Sequence, residues 1–172
     1  MFSSCFRKSE EQLYSEAQAA ETAKNFTEAI DRYQEIVSRF NDGSRAEESQ
    51  YRIALIYNNE LHDISKALGA YHHFYETFPN STNAPSALFL MGFLYNNELH
   101  NIDSARILYQ EFLQKYPTNE LARSAQFELE TLGKDPTSVL HNEILPKAEA
   151  KDSIASAPEK ISTKKPARKS AK

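Results

Sequence analysis

The sequence repeats itself with a period of 38 residues, and this feature restricts the possible fold more than any other. The motif YNNELH occurs at residues 57–62 and again at 95–100. The same offset relates Ala67 to Ala105, Tyr71 to Tyr109, Phe74 to Phe112, and Pro79 to Pro117. Extended upstream, it places Ala29 and Tyr33 in register as a third copy. An internal period of this length is typical of arrays of stacked repeats.

Each copy contains two helical patterns. In the third copy apolar or small residues recur at helical spacing within 88–95 and again within 105–112, and Pro117 predicts the end of the second helix. Small residues recur where the helices are expected to cross, at Ala17, Ala54 and Gly92, and at Ala29, Ala67 and Ala105. Because no stretch shows sustained alternation of period 2, the sequence predicts an all-α fold.

This pattern resembles the tetratricopeptide-repeat (TPR) family. Residues 88–95 are similar to the family's first-helix motif, and 105–117 to its second-helix motif with a closing proline. The resemblance covers about residues 10–132 and implies a right-handed α-solenoid of three TPR-like helix pairs. Two departures stand out. The period exceeds the family's usual length of about 34, and the spacing from the small residue to the alanine is 12 in the first copy but 13 in the others.

The C-terminal part is expected to close the solenoid and then become disordered. Leu121, Ala125, Leu129 and Leu132 share one face of a helix predicted over about 119–132, with Gly133 as its stop. Such a helix is typical of a capping element. A short helix is also expected after Asp135, which would complete a solenoid domain of residues 10–145. Residues 146–172, rich in Ala, Ser, Pro and Lys, are predicted to form a disordered tail.

Charge is distributed unevenly between these parts. Residues 1–145 carry 12 Lys and Arg against 21 Asp and Glu, whereas residues 146–172 carry 8 against 3. The basic tail could contact nucleic acid or anionic lipid through its charge, or it could simply be solvated. It contains no aromatic residue for base stacking, and the acidic body would oppose binding to phosphates, so nucleic acid is not the expected partner.

The type of repeat and the N-terminal residues both bear on localisation. The long repeats that close in 78–81 and 116–119 are similar to those of bacterial envelope TPR proteins, which include outer-membrane-assembly lipoproteins and the periplasmic partner of the Tol–Pal system. Within a flexible segment 1–9, the residues before Cys5 resemble the end of a lipoprotein signal, in which the cysteine becomes lipidated. The apolar stretch of such a signal is missing, so we expect the native chain to start upstream. The alternative is a frayed cytoplasmic N-terminus with an incidental cysteine.

The TPR resemblance implies that the first helices line a concave groove that holds a partner. Carried over by motif position, the groove residues are Tyr14, Gln18, Glu21, Tyr51, Arg52, Leu55, Asn58, Asn59, Phe89, Leu90, Phe93, Asn96 and Asn97. The asparagine pairs could grip a peptide backbone, since an amide both donates and accepts, or could instead bond to their own helix ends. With only Arg52 available, a clamp for a terminal carboxylate is not expected.

Other classes of site are poorly supported. One cysteine excludes a disulfide framework and a thiolate zinc cluster. The histidines His62, His72, His73 and His100 are not expected to share a metal, because equivalent turns lie about 10 Å apart. No H-E-x-x-H, G-x-S-x-G or phosphate-binding motif occurs. We therefore expect no catalytic site, cofactor or small-molecule ligand.

Together these features predict a non-enzymatic scaffold or adaptor. It would bind a peptide or partner protein in the concave groove, as a lipoprotein of the bacterial cell envelope facing the periplasm. The alternative is a cytoplasmic TPR protein whose lysine-rich tail contacts nucleic acid. The sequence leaves the oligomeric state open, and self-association through the aromatic-rich repeat faces is a third possibility.

Overall fold

A computed structural model describes residues 7–134, which contain α-helices and no strand. The helices are α1 (Glu10–Thr22), α2 (Phe26–Arg39), α3 (Ala46–Leu55), α4 (Ile64–Thr77), α5 (Ala84–Asn97), α6 (Ile102–Lys115) and α7 (Ala122–Thr131). A π-helical turn, Ile56–Glu60, extends α3. Successive helices pack against each other along the chain, so the predicted all-α solenoid of three helix pairs and a final helix is confirmed. Among these residues no helix is long and apolar enough to cross a membrane.

Some predictions fall outside the described residues. The lipidation site at Cys5, the short helix expected within 135–145 and the tail 146–172 all lie there. The solenoid is described here through Lys134 only.

The N-cap residue of the second helix in each repeat recurs with the period of 38 residues. Asn25, Asp63 and Asn101 are the N-caps of α2, α4 and α6. Each side chain accepts a hydrogen bond from the backbone N–H three residues later, at 3.5, 3.1 and 3.0 Å respectively. These bonds satisfy N–H groups that the start of a helix otherwise leaves unpaired.

The residue before each of these caps has a left-handed backbone. Lys24, His62 and His100 have φ angles of 59°, 50° and 51°, a region that residues other than glycine seldom adopt. The two histidines therefore occupy equivalent turn positions, one repeat apart.

Each pair of helices is linked to the next by a regular connection. Helices α2, α4 and α6 end at C-caps Phe40, Phe78 and Tyr116, whose φ angles are −132°, −123° and −129°.

The capping helix α7 begins at Ala122 rather than near Asn119 as predicted. Asn119 belongs to the preceding turn, because its Oδ1 accepts from the backbone N–H of Leu121 at 2.9 Å. The predicted stop is confirmed, since Gly133 has a φ of +74°.

The core follows the repeated small and aromatic residues. The alanines and tyrosines that define the period are fully buried: Ala29, Ala67, Ala105, Tyr33, Tyr71 and Tyr109. One hydrophobic cluster joins α1, α2 and α3, and a second joins α3 through α7. Helices α5 and α6 approach closely at Gly92, because a Cβ on this residue would lie 2.9 Å from Cε1 of Tyr109.

The spacing difference between copies has a structural explanation. At the end of α1, the N–H of Ala23 donates to the carbonyl four residues back, at 2.9 Å. The equivalent N–H groups of Leu61 and Leu99 donate to carbonyls five residues back, at 3.0 and 3.1 Å. The extra residue of the second and third copies is therefore accommodated in a wider final turn. In the second copy this turn carries Asn58 and Asn59, and π turns inside helices frequently occur at functional sites.

Candidate functional site

We use the term groove face for the predicted groove residues on α1, on α3 with its π turn, and on α5. Its central part is apolar and partly accessible. Tyr51, Leu55, Phe89 and Leu90 are half-buried, and Phe93 is 37% exposed. The rings of Tyr51 and Phe89 pack against aromatic residues of the second helices. The ring centroids of Tyr51 and Phe74 are 4.9 Å apart, and those of Phe89 and Tyr109 are 5.7 Å apart.

The N-terminal end of the groove face is polar and internally paired. Arg52 of α3 forms an ion pair with Glu21 of α1 through both Nε and Nη2. The hydroxyl of Tyr33 donates to Glu21 Oε2 at 3.0 Å. The Glu21 carboxylate is the main cause that raises the pKa of Arg52. Since Glu21 occupies its guanidinium, Arg52 is not free to hold a partner's carboxylate.

A polar cavity of about 320 Å³ lies at this end. Its lining residues are Gln18, Glu21, Thr22, Lys24, Phe26, Arg52 and Glu60. Only Gln18, Glu21 and Arg52 were predicted from the sequence. The sequence reasoning missed the other four: Thr22, Lys24, Phe26 and Glu60.

Tyr14 lies beneath the surface of the groove face. It is 5% exposed, it packs edge-on against Tyr33 with centroids 5.9 Å apart, and the Arg45 guanidinium lies 4.4 Å from its ring centroid. Burial, together with the nearby Glu48 carboxylate, raises the pKa of Tyr14 to about 12. The exposed Gln18 above it donates to its hydroxyl at 3.3 Å. Tyr14 therefore supports the groove face from below.

The four asparagines have different bonding partners. Asn58 donates to Asn59 Oδ1 at 2.8 Å, and Asn97 donates to the carbonyl of Phe93 at 3.1 Å. Asn96 instead donates to Glu128 Oε2 of α7 at 3.3 Å. The sequence reasoning missed Glu128, although the period of 38 aligns it with Arg52 and Leu90.

A larger apolar cavity, which the sequence reasoning also missed, is lined by residues of α4, α5 and α6. It has a volume of about 670 Å³. Gly69 and His72 of α4, and Leu99 and Ile107, are among its lining residues. Ile107 is 63% exposed, and a Cβ on Gly69 would meet no atom within 4 Å, so this cavity is open to solvent.

Within residues 7–134, no cluster of three or more His, Cys, Asp or Glu side chains is arranged to hold a metal ion.

Comparison with known families identifies the repeats. A family model described as YfiO, outer membrane lipoprotein, matches residues 7–135, which include all seven helices. The chain belongs to the YfiO family of outer membrane lipoproteins. This confirms the predicted resemblance to bacterial envelope TPR lipoproteins. A comparison with curated proteins found no match.

Membership of the YfiO family gives the function in outline. The protein belongs to the cell envelope and interacts with other proteins. This assignment argues against the cytoplasmic alternative, in which the tail contacts nucleic acid.

Proposed function

We propose that this YfiO-family protein is a non-enzymatic adaptor that holds a segment of a partner protein on its groove face, on the periplasmic side of the envelope. The observation that carries the proposal is the row of accessible apolar side chains on α3 and α5. Phe93 is 37% exposed. Leu55, its equivalent one period earlier, and Leu90, three residues before it on α5, are half-buried. Apolar area of this kind gives binding energy when a partner covers it.

The charge of the groove face is consistent with a largely apolar partner. Helix α5 contains no charged residue, and the one arginine among the predicted groove residues is paired with Glu21. Binding through this surface should therefore depend only weakly on salt, unlike binding to a polyanion.

Site-specific photo-cross-linking in the native cell tests the groove proposal. A cross-linker at position 93 should capture a protein partner, whereas one at Gln34, exposed on α2, should not. Raising the ionic strength during cross-linking should leave the product largely unchanged. Equal products at positions 93 and 34, or none at 93, would contradict the proposal.

We also propose that Cys5 carries the lipid anchor and that the solenoid domain extends over residues 10–145. More than one acyl chain at Cys5 would tether the protein stably to the membrane. Membrane fractionation and the intact N-terminal mass of the native protein test this. A diacylglyceryl-modified Cys5 is the expected result, and an unmodified N-terminus in the soluble fraction would contradict it.

A further inference from the structure

One glycine inside a helix is not explained by packing within the chain. Gly69 lies in α4, it is exposed, and a Cβ built on it would meet no atom within 4 Å. Gly92 in α5 differs, because a Cβ there would lie 2.9 Å from the ring of Tyr109. Glycine makes a helix less stable than alanine does. At Gly69 the missing side chain therefore leaves an indentation on the surface of α4 and relieves no contact inside the fold.

An exposed isoleucine occupies the equivalent position of the next repeat. Ile107 of α6 follows Gly69 by one period of 38 residues. At 63% exposure it is the most exposed large hydrophobic side chain in residues 7–134. Both residues line the apolar cavity of about 670 Å³, together with Leu99, which is 48% exposed. The surface formed by α4 and α6 therefore carries an apolar projection beside an indentation, whereas the first repeat has the charged Asp31 at this position.

Helices α4 and α6 lie side by side. The hydroxyl of Tyr75 in α4 donates to Glu111 of α6 at 3.1 Å and accepts from Lys115 of α6 at 2.8 Å. Because Gly69 and Ile107 are equivalent repeat positions, they lie at about the same height along these helices. A two-fold axis that runs between α4 and α6, parallel to both, would place Ile107 of each copy over Gly69 of the other. Such an interface is self-complementary, since the same contact forms twice.

The charges on this surface are compatible with the same arrangement. Each residue of α4 would face the residue 38 positions later in the second copy's α6, and over these two helices no charged residue then faces one of like charge. Lys66 would lie one position from Asp103 of the second copy, and Glu76 one position from Lys115 of the second copy. All four side chains are exposed. Exposed pairs of this kind add little affinity but favour one orientation over others.

We propose that α4 and α6 form a weak two-fold contact between two copies of this chain, in which Ile107 of each copy covers Gly69 of the other. The cavity is lined by none of the predicted groove residues, so the contact does not use the groove face and does not rest on the proposed function. A pair of copies would present two groove faces, and two segments of one partner would then bind with a shared gain in affinity.

The size of the surface determines how strong this contact should be. Helices α4 and α6 each have 14 residues. Each helix is about 21 Å long and about 10 Å wide, so the two together offer roughly 400 Å² per copy. This is about half of the roughly 800 Å² per partner of a standard interface, so the dimer should be weak. Self-association should therefore be detected at about 0.1–1 mM protein.

Exchanging the projection and the indentation tests the proposal. The measurement is sedimentation velocity over a range of concentrations, on the full chain with Cys5→Ser, which removes its one thiol. Gly69→Ile fills the indentation and Ile107→Gly removes the projection, so each should weaken self-association at least about tenfold. The double variant restores a projection facing an indentation and should recover the wild-type dissociation constant to within about threefold. Gly69→Ile should not lower the melting temperature at a monomeric concentration, because its site is open.

Cysteine cross-linking tests which positions face each other. In the Cys5→Ser background, a mixture of Gly69→Cys with Ile107→Cys should form a disulfide-linked heterodimer under mild oxidation. A mixture of Gly69→Cys with Asp31→Cys is the matched control and should not, although Asp31 is equally exposed at the same position of the first repeat. A disulfide needs Cα atoms within about 7 Å, so only facing positions can form it.

Three results would overturn this inference. The first is a wild type that stays monomeric at about 1 mM. The second is self-association that neither single variant weakens, or that the double variant fails to restore although it is folded. The third is self-association abolished by Phe93→Glu, which would assign the contact to the groove face. Retention of the dimer in Phe93→Glu is the expected result, and partner cross-linking at position 93 tests the proposed function separately.

Discussion

The first and third repeats are built from equivalent helix pairs but differ in their side-chain contacts. In the first repeat, side-chain charges connect α1, α2 and α3: Glu16 pairs with Arg32 at 3.1 Å, and Arg45 with Glu11 at 3.1 Å. In the third repeat, α5 carries no charged residue, and Phe89 packs between Tyr109 and Phe112. The period therefore preserves small and aromatic core residues while the surfaces change. The N-terminal end of the groove face is polar and internally paired, whereas its central part is apolar and accessible.

The largest expected effect comes from breaking the polar end. Glu21→Ala removes the partner of both Arg52 and the buried Tyr33 hydroxyl, so it should destabilise the protein by about 2–3 kcal/mol, the cost of unpaired and partly buried polar groups. Chemical denaturation measures this. Ser15→Ala, on the same helix and exposed, is the control and should change stability by less than about 0.5 kcal/mol. An equal effect of both changes would mean that the ion pair contributes little.

The tight crossing in the third repeat should give the next largest effect. Gly92→Ala places a Cβ about 2.9 Å from the ring of the buried Tyr109, so it should cost about 1–2 kcal/mol despite the better helix propensity of alanine.

The matched control is Gly69→Ala in α4, where a Cβ meets nothing within 4 Å. This change should stabilise the protein by about 0.5–1 kcal/mol through helix propensity alone. Thermal melts of both variants should therefore shift in opposite directions. A stabilising Gly92→Ala would show that α5 and α6 can separate without penalty.

A smaller change in stability is expected from removing the hydroxyl of two equivalent tyrosines, Tyr33 in the first repeat and Tyr109 in the third. Tyr33→Phe should cost about 1–2 kcal/mol, because the hydroxyl donates to a carboxylate. Tyr109→Phe should be neutral within about 0.5 kcal/mol, since its hydroxyl has no partner in residues 7–134. Urea denaturation of the two variants in parallel checks the difference. The contrast between the repeats would be lost if both changes had the same effect.

The smallest expected effect concerns the helix caps. Asp63 is the N-cap of α4, whereas the equivalent caps of α2 and α6 are the neutral residues Asn25 and Asn101. Hydrogen bonds with Lys66 lower the pKa of Asp63. A lowered pKa in the folded state stabilises the fold above the unfolded pKa of about 3.9, and this stabilisation is lost as the pH falls through the folded value.

The change Asp63→Asn should therefore remove a small acid-dependent loss of stability at α4 without altering the caps of α2 and α6. Amide hydrogen exchange in the first turn of α4, compared between neutral and acidic pH, measures this. The same acid sensitivity in wild type and variant would show that Asp63 contributes no pH dependence.

Much of the fold follows from the sequence because the period is explicit in it. The buried alanines and tyrosines, the helix pairs and the stop at Gly133 are local or periodic properties, so a single offset predicts them together. The left-handed residues Lys24, His62 and His100 follow the same period, yet the type of residue at these positions gives no sign of their backbone. The start of α7 was predicted too early, since Asn119 hydrogen-bonds within a turn that spacing alone does not reveal.

The sequence by itself determined the repeat, the helices and the core, because these depend on which residues recur at a fixed interval. Only the tertiary structure decided which polar groups are already occupied. Arg52 and Glu21 pair across 31 positions and Asn96 and Glu128 across 32, whereas the buried Tyr109 hydroxyl has no hydrogen-bond partner within residues 7–134. Whether a hydrogen-bonding group is satisfied depends on side chains brought together from different repeats, and spacing along one chain does not specify that.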